Sequence, residues 1–389
     1  MARTHSLMAA VAALTMVVGT ATACGGGDDK QEAGGNVPTV NLDNASPEVK
    51  AAAATAEERG LMFLADHDEI VQCAQEEGQV TIQTSSDDFE PLKEAFEAEY
   101  PGITADFVVL SGAATERFLL EAESGAAPNY DVGYPAPEAY KEITDMFGYD
   151  LQGMASAGVL DIPMGSVDDD TNTTVSAGSS GIALAYNRDL ISEAELPKTW
   201  ADLADPRFGR DQLGMAMDVD LNNVAVLSLD PEWGVDRVIE LSEAMGKLNP
   251  IFADSHTAAT LLVQNGEVAV SPFVNLHSAQ REVDKNPDGP LQVAFIEPVP
   301  VRQSEASGVM RNAEHPCSAL LYIEWTASSD TAQEIFDADP LQASINWENS
   351  RMRQMIGDKK TVIAEADEIA ALPEVIASVQ EAFGFPTAS

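Results

Sequence analysis

The chain has 389 residues, with 64 acids against 21 bases and a formal net charge of −43 at pH 7. Such a balance excludes nucleic acid as a partner, because phosphates call for a basic face, and it disfavours adsorption to anionic lipid. Hydrophobic residues make up 45% of the chain, enough for a packed core. The acids are dispersed, whereas a disordered acidic tail would hold them in one block.

The N-terminus carries Arg3 and His5, an apolar run from Leu7 to Val18, and small residues up to Ala23-Cys24. A basic start, about a dozen apolar residues and a small-residue cut site predict an export signal over 1–23. The run is short of the about 20 apolar residues that a bilayer span needs. Ala21 and Ala23 directly before Cys24 resemble the lipobox of bacterial lipoproteins, which implies cleavage before Cys24, acylation of that residue and an extracytoplasmic chain anchored to the cell membrane by lipid. Residues 24–64 read as a stalk with an accessory helix, since Gly, Asp, Asn, Pro and Ala dominate and Ala51 to Glu58 has helix-forming composition. Cys73 and Cys317 remain as an even pair in an oxidising compartment, to be read as a disulfide or as two buried thiols. The sequence holds no CxxC, no HExxH and no Cys/His cluster, so neither a metal site nor a cofactor is expected.

From about residue 65 onward, short β-like segments alternate with longer helix-like ones, which predicts α/β architecture with parallel sheets; the length favours two domains. His67 to Glu77 is helical and Gly78 stops it. Val80 to Thr84 is a strand, and Ser85 to Asp88 caps a helix in which Phe89, Leu92 and Phe96 recur at helical spacing. Pro101-Gly102 ends that helix, and Ile103 to Leu110 is a second strand. Ser111 to Thr115 turns into a helix carrying Phe118 and Leu119, and Asp131 to Gly133 is a short third strand. Such strand–loop–helix turns aim backbone N–H groups at the carboxyl edge of a sheet, a seat for polar ligands. Further strands are expected over Gly181 to Tyr186, Leu213 to Val219, Val268 to Phe273, Leu291 to Ile296 and Ala306 to Met310. Helices are expected over Glu232 to Met245, Thr257 to Val263 and Pro316 to Thr326.

The order of motifs resembles the extracellular solute-binding proteins of ABC importers, in the branch that includes iron(III)-binding proteins. Glu77-Gly78-Gln79-Val80-Thr81-Ile82 is similar to the family's opening helix-to-strand passage, and Phe89 to Gly102 to its helix followed by Pro-Gly-Ile. Ala185-Tyr186-Asn187-Arg188, followed by Leu196-Pro197-Lys198-Thr199-Trp200 and the stretch to Gly209, is the strongest match. Asn265 to Val270, Ala313 to Pro316 and Trp325 to Ser328 complete it. The resemblance implies a two-lobed, type II periplasmic-binding-protein-like clamshell with hinge crossings. Lobe one would hold 65–178 plus 301–350, and lobe two 179–300 plus 351–389. It also implies that Cys73 and Cys317 share lobe one and form a disulfide there, and that the chain hands its solute to an ABC permease without chemistry.

Residues near the family's cleft positions are Ser85, Ser86 and Asp87, Ser111 and Gly112, Ser179 and Ser180, Asp218 and Asp220, Asp254 and Ser255, then Asn275 and His277. The acids among them favour a cationic or polyhydroxylated solute over a phosphate, although Ser86, Asp87, Asp254 and Ser255 are also placed to do no more than cap helices. Iron-binding members carry consecutive tyrosines where this chain has Leu276-His277, and an acid where it has Tyr134-Pro135-Ala136; both departures count against iron(III). The alternative reading is a secreted hydrolase such as a carboxylate-pair glycosidase. Gly178-Ser179-Ser180-Gly181 is not a GxSxG elbow, and no nucleophile–base set is visible.

Overall fold

The computed structural model describes residues 42–84, 89–110, 112–124, 128–135, 139–209, 212–217, 219–338 and 341–385. Its strands, in chain order, are β1 (Gln79–Thr84), β2 (Thr104–Val109), β3 (Val132–Gly133), β4 (Val175–Asn187), β5 (Gly214–Ala216), β6 (Ile251–Ala253), β7 (Val270–Asn275), β8 (Leu291–Ala294), β9 (Val299–Val309) and β10 (Thr361–Ala364). One mixed sheet runs β2-β1-β3-β9-β4-β7, with β8 also on β4 and β10 also on β9, while β5 and β6 form a separate parallel pair.

Two cores divide this sheet into the two lobes of a periplasmic-binding-protein clamshell. The first gathers Ile70, Val80, Ile82, Phe96, Tyr322 and Trp325, and takes Val175 and Ala177 from β4 and Val309 from β9. The second gathers Trp200, Met215, Val224, Phe273 and Val379, and takes Ile182 and Leu184 from β4. A neighbouring cluster holds Val299 and Val301 from β9 with Leu276 and Met352. The strand β4 therefore passes from the first core to the second, and β9 from the neighbouring cluster to the first core. They pair with each other from Val175↔Ser307 to Gly181↔Val301, and that stretch is the crossing.

Local chemistry explains how the first core is closed. The helix His67–Glu77 begins on the Asp66 side chain and ends at Gly78, whose φ of 70° is left-handed backbone that suits glycine. Its last residue, Glu77, accepts hydrogen bonds from the amides of Cys317 and Ser318 at 3.1 and 2.7 Å, capping the helix Pro316–Ser328 where the dipole is positive. A disulfide between Cys73 and Cys317, with Cα atoms 5.8 Å apart, ties the same two helices. Buried Asp131 accepts from the amides of Thr81 and His315 at 2.8 and 2.9 Å and faces the His315 ring at 3.0 Å, so one carboxylate joins β1 to that helix's entry. Gly133 and Gly308, partners in the β3–β9 register, leave the space that the Phe147 ring occupies. The helix Pro47–Glu58 buries Val49 and Ala56 against this core. In the second core Trp200 stacks on Phe273 with centroids 4.2 Å apart and donates its indole N–H to Pro298 O at 2.8 Å.

Two expectations change. The crossing strands are longer than their apolar segments suggest: β4 begins at Val175 and β9 at Val299, where the expected starts were Gly181 and Ala306. The expected strand over Leu213 to Val219 is only Gly214–Ala216, and Val219–Val226 is a helix. An acid in that helix's first turn, Asp220, accepts the amide of Ala216 at 2.6 Å, so the strand-to-helix turn comes inside the apolar run.

A candidate solute site at the crossing strands

Between the two cores, a cavity of about 250 Å³ opens at the crossing. Tyr134, Pro135 and Tyr140 line it from the first lobe, Ser180 from β4, Arg302 to Ala306 from β9, and Ala366 and Ile369 from the segment after β10. Tyr134 follows β3 and donates its hydroxyl to the Tyr322 hydroxyl at 3.3 Å. Tyr140 donates to Asp168 Oδ2 at 2.9 Å. Burial, first of all, pushes both phenols above their ordinary range, so each is a neutral hydroxyl at physiological pH. Glu305 sits mid-strand with a φ of 54°, sparsely populated backbone for a residue with a Cβ.

Arg302 is the unusual member. Its backbone lies between Ser180 on β4 and Ala364 on β10. Its Nε is buried without a hydrogen-bond partner, and among the described residues no carboxylate forms an ion pair with it. Burial alone pushes the guanidinium below its usual value. Beside it, Ser304 Oγ and Gln303 Oε1 are also buried without partners, although the Gln303 amide donates to Gly165 O at 2.7 Å. Buried polar atoms are normally satisfied, so a row of three on one strand is a site with open valences.

Of the residues singled out from the sequence, Ser180 lies on this cavity. Its hydroxyl is 3.5 Å from His277 Nδ1, but His277 itself lines a different cavity of about 280 Å³ with Gln280, Arg281 and Arg351. Ser179 is buried and accepts the amide of Ile345 at 3.0 Å. Asn275 is buried and accepts from Asn223 Nδ2 at 2.9 Å. Asp220 is fully buried, 2.5 Å from His256 Nδ1, so its carboxylate is committed inside the second lobe instead of facing a solute. Asp254 is exposed, Ser255 caps the helix His256–Gln264, and Gly112 opens the helix Ala113–Glu123 with a φ of 53°. Ser85, Ser86, Asp87, Ser111, Asp218 and Cys24 lie outside the described residues. Sequence reasoning missed Arg302, Gln303 and Tyr140. A signal for the first existed: Arg302 is a scarce base directly after the apolar run Val299-Pro300-Val301.

Among the described residues two clusters have metal-like ligand spacing. One is the disulfide pair with Glu77. The other is Asp168 with Glu365 and Asp367, beside the cavity. Asp168 Oδ1 already accepts from the amides of Asp170 and Thr171, and Oδ2 from Tyr140, so its oxygens are spoken for. Burial first, then the Asp168 charge, pushes Asp367 up to about 6.

Two family models described as bacterial extracellular solute-binding protein match the chain, one over residues 148–339 and one over 83–208. Solved structures with the same fold include iron-bound HitA from Pseudomonas aeruginosa (16% identity over 79% of this chain and 99% of that one, TM-score 0.58). A Bordetella ferric binding protein is 15% identical over 78% and 98%, with a TM-score of 0.63. A Trichodesmium protein (IdiA, FutA) in complex with iron and citrate is 16% identical over 79% and 100%, with a TM-score of 0.59. No curated protein sequence matches.

Proposed function

The chain belongs to the bacterial extracellular solute-binding proteins, and on that premise we propose that it binds one small polar solute at the crossing strands and delivers it to an ABC permease. The observation that carries this is the cavity on β4 and β9, lined by both lobes and floored by polar atoms without partners. Strands that change core at that point form a hinge, so a solute touching both sides favours the closed form over the open one. Lobe one is assigned 65–178 plus 301–350 and lobe two 179–300 plus 351–389, in line with the two cores. The helix Pro47–Glu58 packs on lobe one, so only the segment before it serves as stalk. Acylation of Cys24, supported by the small residues before it, holds the receptor on the outer face of the membrane. No helix among the described residues is long and apolar enough to cross a membrane.

The family transports and does not catalyse, which disfavours the hydrolase alternative. Polyhydroxylated solutes suit the hydroxyls and amides of the cavity, whereas a bare cation is poorly matched, because Asp220 is committed elsewhere and Arg302 lines the wall. Ferric ion, which several proteins of similar structure bind, belongs in any screen, since two phenols and a carboxylate face the cavity. A thermal-shift panel of polyols, carboxylates, phosphonates, polyamines and ferric salts tests the reading. A solute at 100 times its dissociation constant should stabilise by about 2.7 kcal/mol. The reading fails if the stabilising solute is turned over, or if its effect survives Ala306→Trp, which fills the cavity.

A further inference from the structure

We propose that Arg302 is the anchor for an anionic group of the solute, an oxyanion of the carboxylate or phosphoryl kind. This rests on the reading of the cavity at the crossing strands as the solute site. Three observations converge on it. First, the Arg302 Nε is buried with no acceptor, and among the described residues no acid pairs with the guanidinium. Arg302 is half-buried with its Nε cut off from solvent; a desolvated charge without a partner is costly, and in a chain with 64 acids a carboxylate partner is the ordinary outcome. Among the described residues none supplies the missing acceptor, and an oxyanion of the solute would. Second, the guanidinium fork matches two oxygens of one oxyanion, and Ser304 Oγ, also unpartnered, lines the same wall as a further donor. The neutral phenols of Tyr134 and Tyr140 add no negative charge, which leaves Glu305 as the carboxyl residue in the described lining. Third, Arg302 pairs through its backbone with β4 and β10 at once, at the point where the sheet passes from one core to the other. An anion held there touches the hinge, where a small contact acts on both lobes.

The whole-molecule charge makes the kinetics distinctive. A chain at −43 repels an anion at long range, so association should quicken as salt screens that repulsion, the opposite of a cation receptor.

The experiment uses the purified mature protein with citrate, inorganic phosphate and methylphosphonate as anionic probes, and myo-inositol and spermidine as neutral and cationic ones, all at matched ionic strength. At least one anionic probe should bind saturably to wild type. Arg302→Met should weaken that binding about 10- to 100-fold, the loss expected for a charge-assisted contact. Arg302→Lys should recover part of it. The Met variant should also be more heat-stable than wild type without ligand, because a half-buried charge whose Nε has no acceptor has gone, which separates lost anchoring from lost folding. The arms with citrate and with phosphate or methylphosphonate tell carboxylate from phosphoryl recognition. If no anionic probe binds, or if an anion binds equally to Arg302→Met, the anchor is refuted. If myo-inositol or spermidine binds, is blocked by Ala306→Trp and is unaffected by Arg302→Met, the cavity stands as the solute site and the anchor falls. If an anion's binding survives Ala306→Trp, the site reading itself falls.

Discussion

Asp367 shows how a single carboxyl beside the cavity sets a pH response. Its pKa is raised to about 6 by burial and by the neighbouring Asp168 charge. The folded chain therefore holds more protons than the unfolded chain between the ordinary aspartate value and about 6. Stability falls as pH rises through that window, and the loss is complete above it. Asp367→Asn should reduce the slope, to which the raised carboxyls of Glu77, Asp150, Asp337 and Glu365 also contribute, and leave the protein more stable at pH 7, by about 1 kcal/mol after solvent screening or about 2 °C. Melting curves at pH 4.5 and pH 7 check this; an unchanged difference between the two pH values in the variant would contradict it. Asp220 makes the opposite case. Fully buried against His256 and the Ala216 amide, it should cost about 3–5 kcal/mol when replaced by Ala, as breaking a buried pair does. That loss should appear in denaturant titrations, while Asp220→Asn, which keeps one acceptor oxygen, should cost less.

At the scale of elements, the tie between the helices His67–Glu77 and Pro316–Ser328 carries the first lobe. The disulfide spans 244 residues of sequence, and closing so long a loop stabilises by up to about 5 kcal/mol in the chain-entropy model. Reduction should lower the denaturation midpoint of lobe one and leave lobe two in place; identical midpoints with and without reductant would refute that. Both helices were legible in the sequence, since Ile70 and Ala74 recur at helical spacing and Gly78 closes the turn. The strands of the crossing were legible only at one end. Val175-Ser176-Ala177-Gly178-Ser179-Ser180-Gly181 has small side chains, because Gly178 and Gly181 lie against Gln342 and Met352 in close packing, and small residues give no β-like alternation to read. The same shortage of large side chains hid the site. Pattern reading found caps and acids near loop ends, whereas the cavity is lined by residues in mid-strand, Arg302 to Ala306, whose roles depend on β4 and β10 lying on either side.

For the whole molecule, the proposal gives each part its own role in capture: the segment from Cys24 would tether the receptor, the two lobes would enclose a solute, and the crossing strands would respond to its presence. Cys24→Ala should shift the protein out of the membrane fraction and remove its acyl mass. Retention of the variant on the membrane, with no lipid on wild type, would contradict the tether. The central claim is that a solute seated on β4 and β9 closes the lobes. Small-angle X-ray scattering of the mature protein, titrated with the tightest binder from the solute panel, tests it most directly. The account predicts a radius of gyration that falls saturably at one solute per chain in wild type and stays constant in Ala306→Trp. A radius that does not change at saturating solute in wild type would contradict it.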